Sequence, residues 1–149
     1  MGAGTFLPVK SSDISKHHMH EEYYSVPIET IETIAEAKKC GHKVIAVGTT
    51  SLRSLESLFL LSKRDSVKID QLADNWHKTG LFIRPKSPED KYTPFAVDAL
   101  ITNFHQPKST LLMLISALLG YEKTKRLYKT AVENKYRFFS YGDSTLLWL

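Results

Sequence analysis

Apolar residues recur along this chain at two spacings, and the alternation between them predicts its elements. Ile31, Ile34, Ala35 and the aliphatic stem of Lys38 follow the 3.6-residue period of a helix with one apolar face. Pro27 is pre-organised to open that helix and Gly41 to end it, so a helix is expected over residues 28–40. Residues 43–47 form a short apolar run of the kind buried on both faces of a parallel sheet. Gly48-Thr49-Thr50-Ser51 is the turn after it. Leu55, Leu58, Phe59 and Ser62 then share one face of a helix expected over 52–62. The apolar run at 96–102 predicts a second buried strand, followed by a loop over 103–108. Ser109 or Thr110 can cap the next, apolar helix, which Gly120 breaks, and a further helix is expected over about 122–133.

The remaining segments are less regular. Residues 1–10 read as a loop entering an extended piece, and 17–26 as a strand that Pro27 ends. Residues 81–83 form a candidate strand closing at Pro85, 86–91 have loop composition, and 136–141 make a final aromatic-rich strand turning at Gly142-Asp143. Strands and helices alternate, which predicts an α/β fold: a partial barrel-like or open, mostly parallel sheet with flanking helices. A closed eight-fold barrel takes roughly 250 residues. The 149 residues here are too few to close one and fit a single domain or a large part of one.

Composition narrows the class further. With 42% hydrophobic and 24% charged residues the chain reads as globular rather than disordered. The longest apolar run, 111–119, contains Ser116 and is too short to span a bilayer, so no membrane partner is expected, and the N-terminus carries no secretory signal pattern. One cysteine, Cys40, allows no internal disulfide and suits the reducing cytoplasm. The net charge of +4 is compatible with a polyanionic partner such as RNA. The densest basic group, Lys123, Lys125, Arg126, Lys129 and Lys135, is read equally well as a solvated helix face.

In α/β structures ligands gather at the C-terminal ends of parallel strands, and three polar clusters fall at such ends. The first is Gly48-Thr49-Thr50-Ser51 with Arg53 and Glu56. A helix N-terminus attracts anions, but the same hydroxyls serve as a plain cap. The second is Thr102-Asn103-Phe104-His105, where Asn103 both donates and accepts and His105 can move a proton near neutral pH. The third is 136–143, in which Phe138 and Phe139 are assigned to the core, and Arg137, Tyr141 and Asp143 to a site. His17-His18-Met19-His20 invites a metal reading, but no third ligand is spaced for one, and a hydrogen-bonding or proton-transfer pair fits better. There is no phosphate-binding glycine motif of the Walker or dinucleotide type and no nucleophile elbow. By residue chemistry alone the reaction stays unnamed.

Taken together, the segments resemble the S-adenosylmethionine:tRNA ribosyltransferase-isomerase family. The matching pieces are Gly2-Ala3-Gly4-Thr5-Phe6 with Pro8-Val9, His18-Met19-His20, Val47-Gly48-Thr49-Thr50-Ser51 and Arg53-Ser54-Leu55-Glu56. They continue through Thr102-Asn103-Phe104-His105, Pro107, Ser109-Thr110-Leu111, Met113-Leu114, Ser116-Ala117, Gly120-Tyr121 and 136–143. Departures are Glu21, where the family usually has Ser, and Ser144-Thr145, where it continues Ala-Met. Family members are more than twice as long. The resemblance therefore implies that this chain, 1–149, is the C-terminal portion of a larger α/β domain, without the family's N-terminal part and inserted β-barrel domain.

The implied activity is tRNA modification. The ribosyl group of S-adenosylmethionine is transferred and isomerised onto 7-aminomethyl-7-deazaguanine in tRNA, giving epoxyqueuosine with release of adenine and methionine. S-adenosylmethionine is then a consumed co-substrate, and neither a cofactor nor a metal is needed. The resemblance implies a monomer, although a fragment would need its missing part or self-associate. His20, His105 and Asp143 are the implied catalytic group. Thr49, Thr50, Ser51, Arg53, Asn103, Arg137 and Tyr141 are the implied substrate contacts. The alternative is a noncatalytic RNA-binding or regulatory remnant of that enzyme.

Overall fold

The computed structural model describes residues 19–149. The motif at 2–6, the loop at 1–10, His17 and His18 lie outside the described residues. Strand β1, Glu22–Tyr24, is followed by helix α1, Ile28–Lys39, strand β2, Ile45–Val47, and helix α2, Thr49–Asp65. A single 3₁₀ turn, Ile69–Leu72, leads to β3, His77–Thr79. The second half holds β4, Ala99–Asn103, helices α3, Thr110–Leu119, and α4, Tyr121–Glu133, and β5, Ser144–Trp148. The α/β class stands, and no barrel closes among the described residues.

The local signals explain most of these boundaries. In α1, Ile31 and Ile34 are the buried pair, one turn apart. Its end is a Schellman closure: the His42 N–H donates to the Ala37 carbonyl at 2.8 Å and the Gly41 N–H to Lys38 at 3.1 Å. Gly41 takes the left-handed φ of 75° that this closure requires. Ser109 caps α3 by accepting from the Leu112 N–H at 3.1 Å, a contact that typically contributes about 1 kcal/mol.

The sheet is open and mixed. Three strands pair in the order β2-β4-β5, β2 parallel to β4 and β5 antiparallel to it, while β1 and β3 form a separate antiparallel ribbon. One of the three pairings is thus parallel, fewer than a mostly parallel sheet would show. Ala46, Leu100 and Leu147 lie in one register row and are all buried. They meet Leu52, Leu55 and Leu58 of α2 and Leu114, Ile115 and Leu118 of α3 in the core. Alternation sends Ile45, Val47, Leu146 and Trp148 to the opposite face, where all four are exposed.

Three expectations are corrected. The strand expected at 136–141 is a loop, and the last strand lies further on, at Ser144–Trp148. Phe139 has a left-handed φ of 70°, which no strand accommodates. The strand expected at 81–83 pairs with no strand among the described residues: the Leu81 N–H bonds to Thr79 Oγ1 at 3.0 Å and its carbonyl accepts from Arg53 Nε at 3.2 Å. At Leu81, side chains take both backbone groups that a ladder would have used. Finally, α2 begins at Thr49 rather than Leu52, because Gly48, at φ 86°, turns the chain into the helix at once.

Candidate functional site

Strand direction brings the three polar clusters to one rim of the sheet. Val47 lies opposite Ile101, and the Gly48 N–H donates to the Ile101 carbonyl at 2.8 Å, so Thr49 and Asn103 emerge at the same edge. Because β5 runs the other way, its first residue, Ser144, pairs with Asn103, which puts Asp143 at that edge too. The middle of this rim opens into a cavity of about 110 Å³, lined by Asn103, Phe104, His105, Gln106, Ser109, Leu111, Phe139 and Ser140.

His105 is the most perturbed group in the cavity wall. Its Nε2 lies 3.1 Å from Thr102 Oγ1, a hydrogen bond that fixes the ring's orientation. Its backbone N–H donates to the Tyr128 hydroxyl at 3.0 Å, tying the loop to α4. Burial disfavours the imidazolium and lowers the pKa from 6.5 to about 4. At neutral pH the ring is therefore uncharged. It is suited to exchanging a hydrogen bond with a neutral heterocycle and is a weak base for removing a carbon-bound proton.

A pH dependence follows. The unfolded chain binds a proton at His105 near pH 6.5, while the folded chain resists it down to about pH 4. The contribution to stability is complete above about 6.5 and is lost as pH falls through that window, by roughly 2–3 kcal/mol. In thermal melts from pH 7 to 4.5, His105→Asn is expected to lose less stability than the wild-type chain. Equal losses would show that His105 is not the acid-sensitive group.

The other expected site residues are distributed as follows. Asn103 lines the cavity beside His105. Arg137 and Asp143 do not line it but close the loop between them. The Arg137 N–H donates to Asp143 Oδ2 at 2.7 Å and its guanidinium to Oδ1 at 2.8 Å. These bonds hold the Asp143 carboxyl below the usual carboxylate range. Tyr141 is 99% exposed at the tip of that loop. Thr50 and Ser51 are exposed in the first turn of α2, Ser51 Oγ donating to the Val47 carbonyl at 2.8 Å, while Thr49 is buried. His20 is exposed ahead of β1. Arg53 turns inward: its guanidinium is 3.0 Å from Glu22 Oε2, with both side chains buried. The space of about 10 Å³ beside it is too small for a substrate.

Sequence reasoning missed two features. Phe139 is half exposed on the cavity, whereas Phe138 packs against Phe104 and Tyr128 with ring centroids 5.3 and 6.1 Å apart. Adjacent side chains of an extended segment point opposite ways, so one of the two could have been placed outside the core from sequence. The Tyr128 support of the His105 loop spans 23 residues and leaves no local signal. Among the described residues no three His, Cys, Asp or Glu side chains gather as a metal site would, and no helix is long and apolar enough to cross a membrane.

Comparison with known proteins shows the family. The model of the queuosine biosynthesis protein family matches residues 1–147. The crystal structure of an S-adenosylmethionine tRNA ribosyltransferase from Thermotoga maritima is similar at 39% sequence identity with a TM-score of 0.66. That match covers 83% of this chain and 39% of the Thermotoga chain, so the chain spans well under half the length of the protein it resembles. The chain belongs to the queuosine biosynthesis protein family.

Proposed function

We propose that this chain carries part of a tRNA-modifying transferase. The reaction moves and isomerises the ribosyl group of S-adenosylmethionine onto 7-aminomethyl-7-deazaguanine in tRNA, yielding epoxyqueuosine, adenine and methionine. The observation that carries the reading is the family match over residues 1–147. The cavity adds support, since Asn103 and a neutral His105 suit the edge of a heterocycle.

The chemistry follows from the sulfonium, which acidifies the neighbouring C5′ protons so that a positioned base can begin the reaction. His20, exposed at the start of the described chain, is the better candidate for that base than the weakly basic His105. His105 instead donates a hydrogen bond to a nitrogen of the departing adenine, with Asn103 beside it. The start of α2 at Thr49, Thr50 and Ser51 faces the anionic or ribosyl groups. In this reading S-adenosylmethionine is consumed, no further cofactor takes part, and the reaction belongs to the cytoplasm. Residues 1–149 act as one α/β unit. Its exposed apolar sheet face at Val47 and Trp148 is covered by the polypeptide corresponding to the rest of the Thermotoga protein, or by a second copy.

The test supplies S-adenosylmethionine and precursor tRNA to the purified chain, alone and mixed with the polypeptide corresponding to the rest of a family member. Adenine release is expected. Binding of tRNA with no adenine release in either sample would favour the noncatalytic RNA-binding remnant instead.

A further inference from the structure

We propose that Phe139 is the platform on which a purine-type ring stacks in the cavity beside His105. The inference rests on the nucleoside reading of that cavity and adds to it the residue that grips the ring's face.

Phe139 is 50% exposed although it is a large apolar side chain, and it lines the cavity together with the polar groups of Asn103, His105 and Gln106. An exposed aromatic ring beside hydrogen-bonding groups in one cavity is an arrangement that takes a planar heterocycle, its face stacked and its edge read. The cavity's 110 Å³ is well below the roughly 300–1,000 Å³ of a pocket that encloses a whole drug-sized ligand, which suits a single ring system.

The backbone holds Phe139 there against its own preference. A left-handed φ of 70° is unfavourable for a bulky side chain. It is fixed from both sides: the Phe139 N–H donates to the Phe104 carbonyl and the Gly142 N–H to the Phe139 carbonyl, both at 2.9 Å. The Arg137–Asp143 pairing closes the loop around it, with the Asp143 N–H on the Arg137 carbonyl at 2.8 Å. Only glycine fits at 142, since a Cβ there would collide with the Arg137 carbonyl oxygen. The core does not explain the placement, because Phe138 is the ring of this pair that packs on Phe104. A strained, half-exposed phenylalanine in a cavity wall has its account in what the ring contacts there.

The experiment measures binding of adenosine and of the free base 7-aminomethyl-7-deazaguanine to the purified chain by calorimetry. It compares wild type with Phe139→Gly, Phe139→Asn and Phe139→Trp. Glycine and asparagine tolerate the left-handed backbone, so these variants are expected to melt at or above the wild-type temperature. Their affinity for at least one probe is expected to fall about tenfold or more, while Trp retains it. The probe that responds identifies whether the ring comes from the nucleoside donor or from the modified tRNA base. Wild-type affinity in both the Gly and Asn variants, or no binding of either probe by the wild-type chain, overturns the proposal. Adenine release from S-adenosylmethionine, followed for each variant with precursor tRNA and the polypeptide corresponding to the rest of a family member, separates this from the transferase reading. Equal, measurable release by wild type and Phe139→Gly sinks the stacking role alone. Phe139-dependent ring binding, with no release even when the rest of a family member is supplied, sinks the transferase reading and leaves the stacking role standing.

Discussion

Arg53→Ala is expected to lower the unfolding free energy by about 3–5 kcal/mol, the cost typical of removing one partner from a buried ion pair. The Arg53 side chain is 2% exposed and Glu22 5%, and their 3.0 Å contact joins α2 to the β1–β3 ribbon. The same guanidinium donates from Nε to the Leu81 carbonyl, so it also anchors the segment entering residues 81–83. Removing it takes the guanidinium away from a buried carboxylate, where charge is poorly solvated. Urea denaturation reads the effect directly. Replacing both partners, Arg53→Met with Glu22→Leu, is expected to recover most of the loss, because neither charge is then left buried. An Arg53→Ala chain with the wild-type midpoint would show that the pair does not hold these elements together. Arg53 sits in a motif that reads from sequence as a substrate contact, so this prediction assigns its main effect to stability.

Glu56→Ala is expected to cost about 3 kcal/mol or more, with its damage localised at residues 92–96. Glu56 is fully buried. Its Oε1 accepts the Phe95 N–H at 2.8 Å and the Ala96 N–H at 3.2 Å, and its Oε2 accepts the Tyr92 hydroxyl at 2.7 Å. Each buried donor left without an acceptor costs about 1–3 kcal/mol. Burial first, and then the bond to Glu56, pushes the Tyr92 phenol well above its ordinary range, so the phenol stays protonated and keeps donating. Glu56→Gln retains one carbonyl oxygen for the two amides and is expected to lose less. Amide hydrogen exchange separates this loss from global unfolding. Phe95 and Ala96 should lose protection in Glu56→Ala before the core strands do, and unchanged protection there would refute the role.

The two carboxylate partners show where sequence reading stops. Glu56 and Arg53 stand three residues apart in a helix beginning Thr-Thr-Ser, and nearby polarity reads as a ligand site. Their burial is set by Glu22, 31 residues before Arg53, and by amides about 40 residues after Glu56. No local pattern announces those partners. The loop at 136–143 fails for a related reason. Its aromatic run matches strand propensity, but a bond to the Phe104 carbonyl and the Arg137–Asp143 closure outweigh that weak preference.

By itself, the sequence determined the α/β class, the helices bounded by Pro27, Gly41, Ser109 and Gly120, the strands ending at Val47 and near Thr102, and the family, but not that Ile45 and Val47 would be exposed on one face of β2. Those signals act within one or two turns of chain, where capping, backbone φ and apolar period are fixed by neighbouring residues. Only the tertiary structure decided that Arg53 and Glu56 are core residues, that β5 runs antiparallel to β4, and that Phe139 rather than Tyr141 faces the cavity with His105. Each of those outcomes depends on contacts between residues distant in sequence, and packing selects the partners that leave the fewest buried polar groups unpaired.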